Sequence, residues 1–551
     1  MSRNLSELAG RKGLTENLFE ELGIAAQMTG TPSLENMDQL ATEFVMGAAN
    51  VYGAASFYDL LRQENKGKKV YVCNGSSCMT AGTQEVLKER LSRHFESHEI
   101  GEMCCLGRCH ENSSFYFDGK NYSGTAIEQI EMIHKANTTV ADQYHVSSLG
   151  TPVLTTAFPG LDAYHALWSE TLKRPAVELL SELTTSGLRG RGGAGFPIAV
   201  KLDACKQAAG KTKFIVCNAD EGDPGAYSDR YLLEQQPYLV LLGMMTAGYI
   251  AGAETGVVYI RAEYPEAITI IREAIYSLKE RQLLGDNILN SGFNFQFKII
   301  RAQGAYICGE ETALLSSIEG QRPEVRVRPP YPVHQGLFNK PTLVNNVETL
   351  ACIPYILQKG GKAFASIGVG RSTGTKLVSL DGFFKRPGIY EVDMGTPLSL
   401  VVNELGGGFR TAIKAMHIGG PLGGLVPVEK INELTVDFES FSLHGFLLGH
   451  ASIVCIPEDY PLVRYLEHLF QFTAHESCGK CFPCRLGSTR GYELLKKAQD
   501  GHYKIERKLF DDLLETLEIG SLCALGGGLP LPVKNALQYF DQELSPYFKR
   551  S

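Results

Sequence analysis

The residues of this sequence with the clearest capacity for chemistry are eight of its fourteen cysteines. Cys478, Cys481 and Cys484 form a C-x2-C-x2-C run, and Cys523 follows in a glycine-rich stretch. Three closely spaced thiolates with a remote fourth are a ligand set for a 4Fe–4S cluster. A zinc site is the alternative that this spacing leaves open.

Two further cysteine pairs lie near the amino terminus, each on a loop that follows a predicted strand. Cys73 and Cys78 form a C-x4-C pair, and Cys105 and Cys109 form a C-x3-C pair. Four thiolates so arranged can hold the two irons of a 2Fe–2S cluster. A four-thiolate zinc site is again the alternative. Cys104 competes with Cys105, but the C-L-G-R-C register favours Cys105.

A glycine-rich loop over residues 190–197 is the third chemical feature. Glycines let the backbone approach a ligand closely and turn its N–H groups toward an anion. Lys201 adds a point charge suited to phosphate, and polar residues follow the apolar strand-like segment 214–217. The preceding segment has helical rather than strand spacing, so the ordinary dinucleotide fingerprint does not apply. Taken singly, such a loop is also compatible with simple packing.

Composition narrows the class of protein. The chain has 551 residues, enough for three or four domains, with 44% hydrophobic and 21% charged residues. Its net charge of −8 and the lack of a basic run argue against a nucleic-acid partner. The longest apolar run, residues 238–253, contains three glycines and predicts a buried helix rather than a membrane span. The first residues lack the apolar core of a secretory signal, so we expect a cytoplasmic protein without direct membrane insertion.

The elements that must position these residues alternate between strands and helices over residues 141–360. A strand over 255–260 followed by a helix over 264–280 is typical of a βαβ unit and predicts a parallel sheet. Ligands of such sheets gather at the carboxyl ends of the strands, where residues 218–221 fall. Residues 137–152 are expected to be a linker. Residues 361–455 read as short strands in a scaffold, with His417 structural, and residues 456–551 as helices.

Several sequence blocks together resemble one family. GLRGRGGAGFP, NADEGDPGAYSDR, GAYICGEETAL and NKPTLVNNVET resemble the FMN- and NADH-binding subunit of respiratory complex I and the diaphorase subunits of soluble NAD-linked hydrogenases and formate dehydrogenases. ESCGKCFPCR with SLCALG matches that family's 4Fe–4S site. VYGAASFY, CNGSSC and CLGRC resemble the thioredoxin-like 2Fe–2S partner subunit, here fused to the amino terminus.

The resemblance implies a multidomain α/β fold. Residues 1–140 would form a helical lead and a thioredoxin-like 2Fe–2S domain, and residues 141–360 a Rossmann-like FMN- and NAD-binding core. Residues 361–455 would form a β-grasp connector, and residues 456–551 a helical bundle that holds the 4Fe–4S cluster.

The resemblance also implies the binding residues. Asn345 and Asn346 correspond to FMN contacts, Asp220 and Glu221 bracket the flavin, and Asp223 lies nearer the nicotinamide. Phe196 and Tyr331 would stack on the nucleotide, Arg328 would reach its phosphates, and Glu310 and Glu311 would accept hydrogen bonds from its carboxamide or ribose. The full implied set is Gly190, Arg191, Gly192, Gly193, Gly195, Phe196, Lys201, Asn218, Asp220, Glu221, Asp223, Tyr306, Gly309, Glu310, Glu311, Arg328, Tyr331, Asn345 and Asn346.

The implied function is a hydride exchange between NAD(H) and FMN, with single electrons then passing through one 4Fe–4S and one 2Fe–2S cluster. No side-chain acid or base is required. Partners would be the iron–sulfur and catalytic subunits of a multisubunit redox complex, with ferredoxin a further candidate. The sequence departs from the family pattern after Lys201. Relatives often carry aromatic residues there, whereas this chain has Leu202 to Cys205. A relay and assembly subunit that no longer binds NAD is therefore the alternative, and a zinc-stabilised scaffold is a third.

Overall fold

The computed structural model describes residues 3–11, 13–136 and 142–549. Four helices lead the chain: α1 (Arg3–Ala9), α2 (Leu18–Thr29), α3 (Leu34–Glu43) and α4 (Ala48–Ala55). Asn17 and Ser33 start α2 and α3 by accepting hydrogen bonds from backbone N–H groups of the first turn. Phe19 and Leu22 of α2 are buried against Val257 of the central sheet. The helical lead therefore covers one face of that sheet.

The thioredoxin-like domain follows as a small four-stranded sheet. Its strands run in the order β2-β1-β3-β4, with β1 parallel to β2 and antiparallel to β3. The elements are β1 (Val70–Cys73), α5 (Ser76–Thr80), α6 (Gln84–Leu91), β2 (Ile100–Met103), β3 (Phe115–Phe117), β4 (Lys120–Tyr122) and α7 (Ile130–Ala136). Cys73 ends β1 and Cys105 follows β2, so the parallel pair delivers both cysteine pairs to one end of the sheet.

The segment expected to be a linker contains a strand. Its residues 137–141 lie outside the described residues, but β5 (His145–Leu149) pairs in parallel with residues 388–392 of the connector. The strand is exposed along its length. Only pairing with a distant strand fixes it, which explains why local sequence did not reveal it.

The core between residues 160 and 365 is built on a fully parallel sheet, as the βαβ pattern predicts. Its strand order is β8-β7-β6-β9, from β6 (Phe214–Ala219), β7 (Thr255–Ile260), β8 (Gln296–Arg301) and β9 (Thr342–Asn346). The helices are α8 (Leu161–Lys173), α9 (Ala176–Ser186), α10 (Ile198–Gln207), α11 (Ser228–Gln235), α12 (Pro237–Ala251), α13 (Pro265–Glu280), α14 (Glu311–Ile318), α15 (Pro332–Gln335), α16 (Val347–Ala351), α17 (Ile353–Lys359) and α18 (Gly361–Ala365).

Helix α12 is the long apolar run, and the structure confirms it as a buried helix. It is apolar on all sides and lies inside the core. A Cβ at Gly243 would lie 2.0 Å from the carbonyl oxygen of Leu350, so only glycine lets α12 approach α16 this closely. Within the described residues no helix is long and apolar enough to cross a membrane.

The connector is a six-stranded mixed sheet in the order β15-β14-β16-β12-β13-β5. Besides β5, the strands of this sheet are β12 (Thr375–Leu380), β13 (Gly388–Asp393), β14 (Ile413–Ile418), β15 (Gly424–Pro427) and β16 (Ser452–Pro457). The connector also contains a separate hairpin of β10 (Gly368–Val369) and β11 (Ser372–Thr373). Its helices are α19 (Leu398–Leu400), which runs on into a π-helical turn over Val401–Leu405, and α20 (Phe438–Leu443).

The carboxyl-terminal region is helical, as its sequence predicts. It comprises α21 (Leu462–Glu476), a π-helical turn over Pro483–Gly487 that continues into α22 (Ser488–Ala498), α23 (Arg507–Gly520), α24 (Ala524–Gly528), α25 (Pro530–Tyr539) and α26 (Asp541–Leu544). Apolar residues of α21, α22, α23 and α25 pack into one core, which also contains Leu425 and Ile456 of the connector. The bundle is thus fixed to the connector sheet.

Candidate functional site

The glycine loop, residues 190–197, lies against the carboxyl end of β9. A Cβ at Gly192 would lie 2.9 Å from the Cβ of Asn346, so the loop backbone reaches that asparagine only because the residue is glycine. Gly193 and Gly195 have φ values of +120° and +60°, which disfavour other residues. The loop conformation therefore depends on three of the predicted glycines.

Arg191 lies in the loop, and its side chain extends into the protein interior. It is fully buried, and its guanidinium donates to the backbone carbonyls of Thr373 and Thr375 at 2.6 and 3.1 Å. Burial lowers its pKa. Its backbone N–H donates to Thr349 Oγ1 at 2.8 Å. The side chain of Arg191 thus attaches the loop to the connector rather than contacting phosphate.

The carboxyl ends of β6 and β9 bring the predicted polar residues together. Asn218 aligns with Asn346 across the two strands, and its Nδ2 donates to the carbonyl of Gly309 at 2.8 Å. Asp220 Oδ2 and Asn345 Nδ2 are buried without a hydrogen-bond partner among the described residues. Unpaired buried polar atoms are costly, so these two fit a polar ligand such as a flavin ring, with both an acceptor and a donor available.

Glu221 and Asp223 differ in their surroundings. Glu221 accepts the backbone N–H groups of Asp229 and Arg230 at 2.9 and 3.1 Å, and burial with the nearby Asp229 charge raises its pKa to about 7. Asp223 accepts the hydroxyl of Tyr306 at 2.6 Å, and burial raises its pKa. Asp223 is therefore the more open of the two acids and is held by the tyrosine.

The two glutamates of the GEET turn have separate roles. Glu310 caps α14, where its carboxylate accepts the N–H groups of residues 312 and 313. Glu311 lies between two cations, 2.8 Å from Arg328 Nη1 and 3.3 Å from Lys201 Nζ. Lys201 also donates to the carbonyl of Val344 at 2.7 Å. Glu310 thus has the ordinary role of a helix cap. Glu311 instead pairs with the two cations Arg328 and Lys201.

Two predicted aromatic residues stand at the surface. Phe196 and Tyr331 are 50% and 54% exposed, unlike most aromatic side chains of this chain. Exposed rings can stack on a base or nicotinamide. Leu202 and Cys205 are fully buried, so neither position faces this surface. The aromatic residues expected after Lys201 are thus replaced by core-packing residues.

The four predicted cysteines of the amino-terminal region converge on one buried site. Cys73, Cys78, Cys105 and Cys109 are each at most 2% exposed, and Cys105 Sγ lies 3.5 Å from Cys109 Sγ. The Gly107 N–H donates to Cys105 Sγ at 3.4 Å, as is common for cluster thiolates. Cys104 Sγ also reaches this loop, 3.3 Å from the position of a Cβ on Gly75. The donor set of four thiols fits a 2Fe–2S cluster.

The second cysteine site lies where the bundle meets the core. Cys478 and Cys484 are buried in a packed group with Ile307, and Cys481 and Cys523 lie at its edge. Burial raises the pKa of Cys484 to about 11 and that of Cys523 to about 12, so metal binding must displace thiol protons. The sulfur-only donor set with a remote fourth ligand fits a 4Fe–4S cluster.

Hydrogen bonds connect both cysteine sites to the segment 218–225. On one side the Gly225 N–H donates to Cys109 Sγ at 3.1 Å. On the other side the backbone N–H of Tyr306, whose hydroxyl binds Asp223, donates to Glu476 Oε2 at 2.8 Å. Glu476 ends α21, two residues before Cys478. The segment predicted to hold the flavin therefore lies between the two cysteine sites.

Three residues that were not predicted from the sequence complete this region. Asp229 accepts the amide of Asn346 at 2.6 Å, and Tyr264 donates to Glu221 Oε2 at 3.1 Å. His450 of the connector lies 3.5 Å from the carboxylates of both Glu221 and Asp229. Asp229 stands in the same sequence block as Glu221, which is a usable signal. His450 is a lone histidine before an apolar strand, and nothing local marks it.

Comparison with family models gives three matches along the chain. The Nuo51 FMN-binding domain matches residues 183–355. The NADH-ubiquinone oxidoreductase-F iron-sulfur binding region matches residues 464–547, and a thioredoxin-like 2Fe–2S ferredoxin matches residues 7–137. The three matches contain, in order, the first cysteine site, the glycine loop with its polar residues, and the second cysteine site.

Known proteins match over long stretches. A NADH-quinone oxidoreductase subunit of Rhizobium meliloti is 42% identical over 67% of this chain and 87% of its own length. NAD-reducing hydrogenase HoxS subunit alpha of Cupriavidus necator is 32% identical over 92% of this chain and 88% of its own. The crystal structure of an NAD⁺-reducing NiFe hydrogenase in the H2-reduced state superposes with a TM-score of 0.86 at 27% identity, covering 97% of this chain and 93% of that one.

Proposed function

This chain belongs to the family that joins NADH-quinone oxidoreductase subunits carrying the Nuo51 FMN-binding domain with the diaphorase subunits of NAD-reducing hydrogenases, and we propose that it is the flavin-carrying electron-transfer subunit of a multisubunit oxidoreductase. It exchanges a hydride with NAD(H) and passes single electrons to or from partner subunits. FMN, when bound, supplies the conversion between a two-electron hydride transfer and one-electron steps.

The residues of this chain would bind and orient the flavin. The unpartnered atoms of Asp220 and Asn345 provide one acceptor and one donor, and the glycine loop offers a backbone surface without side chains. Asp223, which the resemblance places nearer the nicotinamide, is held by the hydroxyl of Tyr306. Gly309 leaves its neighbourhood open, since a Cβ there would meet only Asp220. These residues therefore offer a flavin ring both hydrogen-bond partners and a backbone surface that it can approach closely.

The nicotinamide nucleotide would bind over the exposed aromatic residues. Phe196 and Tyr331 supply stacking surfaces, and Arg328 supplies a charge for phosphate or ribose contacts. Arg328 forms an ion pair with Glu311 in the structure. Nucleotide binding would therefore replace the Glu311 carboxylate with a phosphate or ribose group as the partner of Arg328. The two clusters would bind at Cys73, Cys78, Cys105 and Cys109 and at Cys478, Cys481, Cys484 and Cys523.

One observation carries the proposal: the segment 218–225 contacts the first cysteine site directly and is joined to the second through Tyr306 and Glu476. Gly225 donates to Cys109, and the Asp223–Tyr306 pair joins Glu476 beside Cys478. Electron transfer needs close redox partners, and a flavin held between two cluster sites meets that need on either side. A merely structural protein has no use for such an arrangement.

A partner subunit would receive electrons beside the second cluster. Four apolar side chains around that site are strongly exposed: Phe482 67%, Leu486 58%, Ile519 76% and Leu522 42%. Exposed apolar side chains grouped in this way mark a protein interface. We place the catalytic or iron–sulfur partner there, and ferredoxin is a further candidate. The proposed compartment is the cytoplasm. The proposed domain limits lie near residues 140, 360 and 455, with α18 of the core and the end of β16 of the connector extending a few residues past the second and third limits.

The experiment is anaerobic mixing of the purified chain with NADH, NADPH or dithionite, followed by the absorbance of flavin and clusters. Rapid bleaching by a nicotinamide nucleotide supports the proposal, and the comparison of NADH with NADPH gives the preference. A matched control is Arg328→Ala, which keeps the flavin residues but loses the nucleotide cation. Bleaching by dithionite alone would instead favour a relay subunit that no longer binds NAD.

A further inference from the structure

The connector contributes a buried histidine, His450, to the edge of the glycine loop. His450 follows Gly449, whose Cα lies 3.9 Å from the position that a Cβ would occupy on Gly193. It is 5% exposed and stands just before β16. A residue of the connector therefore lies next to the loop that we assign to the flavin.

His450 faces two carboxylates that hold the flavin segment in place. Its Nε2 lies 3.5 Å from Glu221 Oε1 and 3.5 Å from Asp229 Oδ2. Glu221 binds the first N–H groups of α11, and Asp229 binds the side-chain amide of Asn346. Both acids thus fix segments that carry predicted flavin contacts. Neither ring nitrogen of His450 has a hydrogen-bond partner among the described residues, so its contacts with the two acids at 3.5 Å are electrostatic.

Two buried carboxylates this close to each other require a cation or a shared proton, because burial and like charge both oppose ionisation. Burial alone would lower the pKa of His450, but Asp229 and Glu221 raise it to about 9. Asp223 also faces the histidine, and Lys376 is the other cation near it and acts against its protonation. The imidazole is therefore positively charged near neutral pH.

We propose that His450 is a positioning residue of the flavin site: its imidazole lies between the carboxylates of Glu221 and Asp229 and keeps them in place, so that they hold α11 and Asn346 against the bound flavin. The inference rests on the proposed flavin site. It assigns the connector a part in cofactor binding beyond that of a scaffold. Without the imidazolium, the pKa of Glu221, which is about 7 with His450 present, would rise further, and a protonated Glu221 would bind the N–H groups of α11 more weakly.

The test uses the full chain with its bound flavin. His450→Gln removes the charge, His450→Lys keeps a cation, and His417→Gln is the matched control. His417 is a second buried histidine of the connector, but it contacts Tyr465 and Gly423, and burial lowers its pKa to about 4. The first readout is the rate of FMN release on dilution, followed by flavin fluorescence. The second is the infrared absorption of a protonated carboxyl group.

At about pH 8, His450→Gln should release FMN at least about tenfold faster than the wild type, and His450→Lys and His417→Gln within about threefold of it. Relative to the wild type, an additional protonated carboxyl band should appear in His450→Gln, and none in His450→Lys or His417→Gln. In the wild type, release should accelerate above about pH 9, because the imidazolium then loses its proton and the buried carboxylates of Glu221 and Asp229 repel each other without a cation between them. This measurement needs no variant, so it decides the matter even if His450→Gln fails to fold.

Equal FMN release by wild type and His450→Gln, or a wild-type rate that stays constant through pH 9, would overturn the inference. An effect of His417→Gln as large as that of His450→Gln would also overturn the inference, because loss of any buried histidine of the connector would then accelerate FMN release. A purified chain that carries no FMN would instead count against the proposed function. The two failures are therefore distinguishable.

Discussion

A buried ion pair next to the flavin segment permits a sharp test of the packing. Lys376 of β12 and Glu348 of α16 are both fully buried and form a direct ion pair. Glu348 also accepts the N–H of Leu377 at 3.0 Å, and Lys376 donates to the carbonyl of Leu377 at 3.1 Å. Helix α16 begins directly after Asn346, so this pair attaches a flavin contact to the connector.

Replacing Lys376 with Met removes the direct ion-pair partner of the buried Glu348 carboxylate. Removing one partner of such a pair typically costs about 3–5 kcal/mol, whereas replacing both charges is often close to neutral. We therefore expect Lys376→Met to be strongly destabilising, and the double variant Lys376→Met, Glu348→Gln to recover most of the loss. Lys430→Met is the control, because its ion pair with Glu433 in the same connector is open to solvent and contributes little to stability.

The assay is urea unfolding followed by flavin release, which reports the region around α16 rather than the whole multidomain chain. A loss of about 3 kcal/mol corresponds to a midpoint lowered by about 1 M or more at usual urea dependences. The reasoning is refuted if Lys376→Met shifts the midpoint no more than Lys430→Met. It is also refuted if the double variant is as damaged as the single one.

Three further predictions concern the site. Tyr306→Phe loses the hydroxyl that binds Asp223 at 2.6 Å, so the KM for NADH should rise about fivefold to tenfold while FMN content stays constant; an unchanged KM would remove Tyr306 from the nucleotide site. Cys109→Ser and Cys484→Ser should each lose one cluster, which iron and sulfide analysis with EPR measures; retention of both clusters would refute the ligand assignment. The folded-state pKa values of Glu221, about 7, and His450, about 9, lie above the ordinary values of 4.5 and 6.5, so the native state holds extra protons and stability should fall as pH rises from about 5 to 9. Melting curves should show that fall, smaller in His450→Gln; a wild-type melting temperature that rises over this range would contradict it.

Much of the fold followed from local sequence. Strands β6 and β7 are short apolar runs with clear ends, and α13 begins at a proline, so their predicted positions agree with the structure. The cysteine sites were equally predictable, because ligand spacing on loops after strands is a local property. The structure brings the cysteines of each site together as expected.

The features that sequence did not reveal depend on distant partners. Strand β5 exists only by pairing with β13, and its exposed residues carry no alternating pattern. Arg191 stands among glycines that suggest an anion, yet its side chain binds carbonyls of the connector because that sheet lies beneath the loop. His450 gains its role from two acids more than 200 residues earlier in the chain. Such contacts arise from tertiary packing, which local periodicity does not encode.

The most direct test of a flavin between two cluster sites is rapid-freeze EPR after anaerobic mixing with NADH, using Cys109→Ser and Cys484→Ser. The account predicts that the chain lacking the 2Fe–2S cluster still reduces its 4Fe–4S cluster within one turnover, and that the chain lacking the 4Fe–4S cluster still reduces its 2Fe–2S cluster. Flavin content in each variant serves as the control. If loss of one cluster abolishes reduction of the other while FMN is retained, the clusters lie in series and the central claim is wrong.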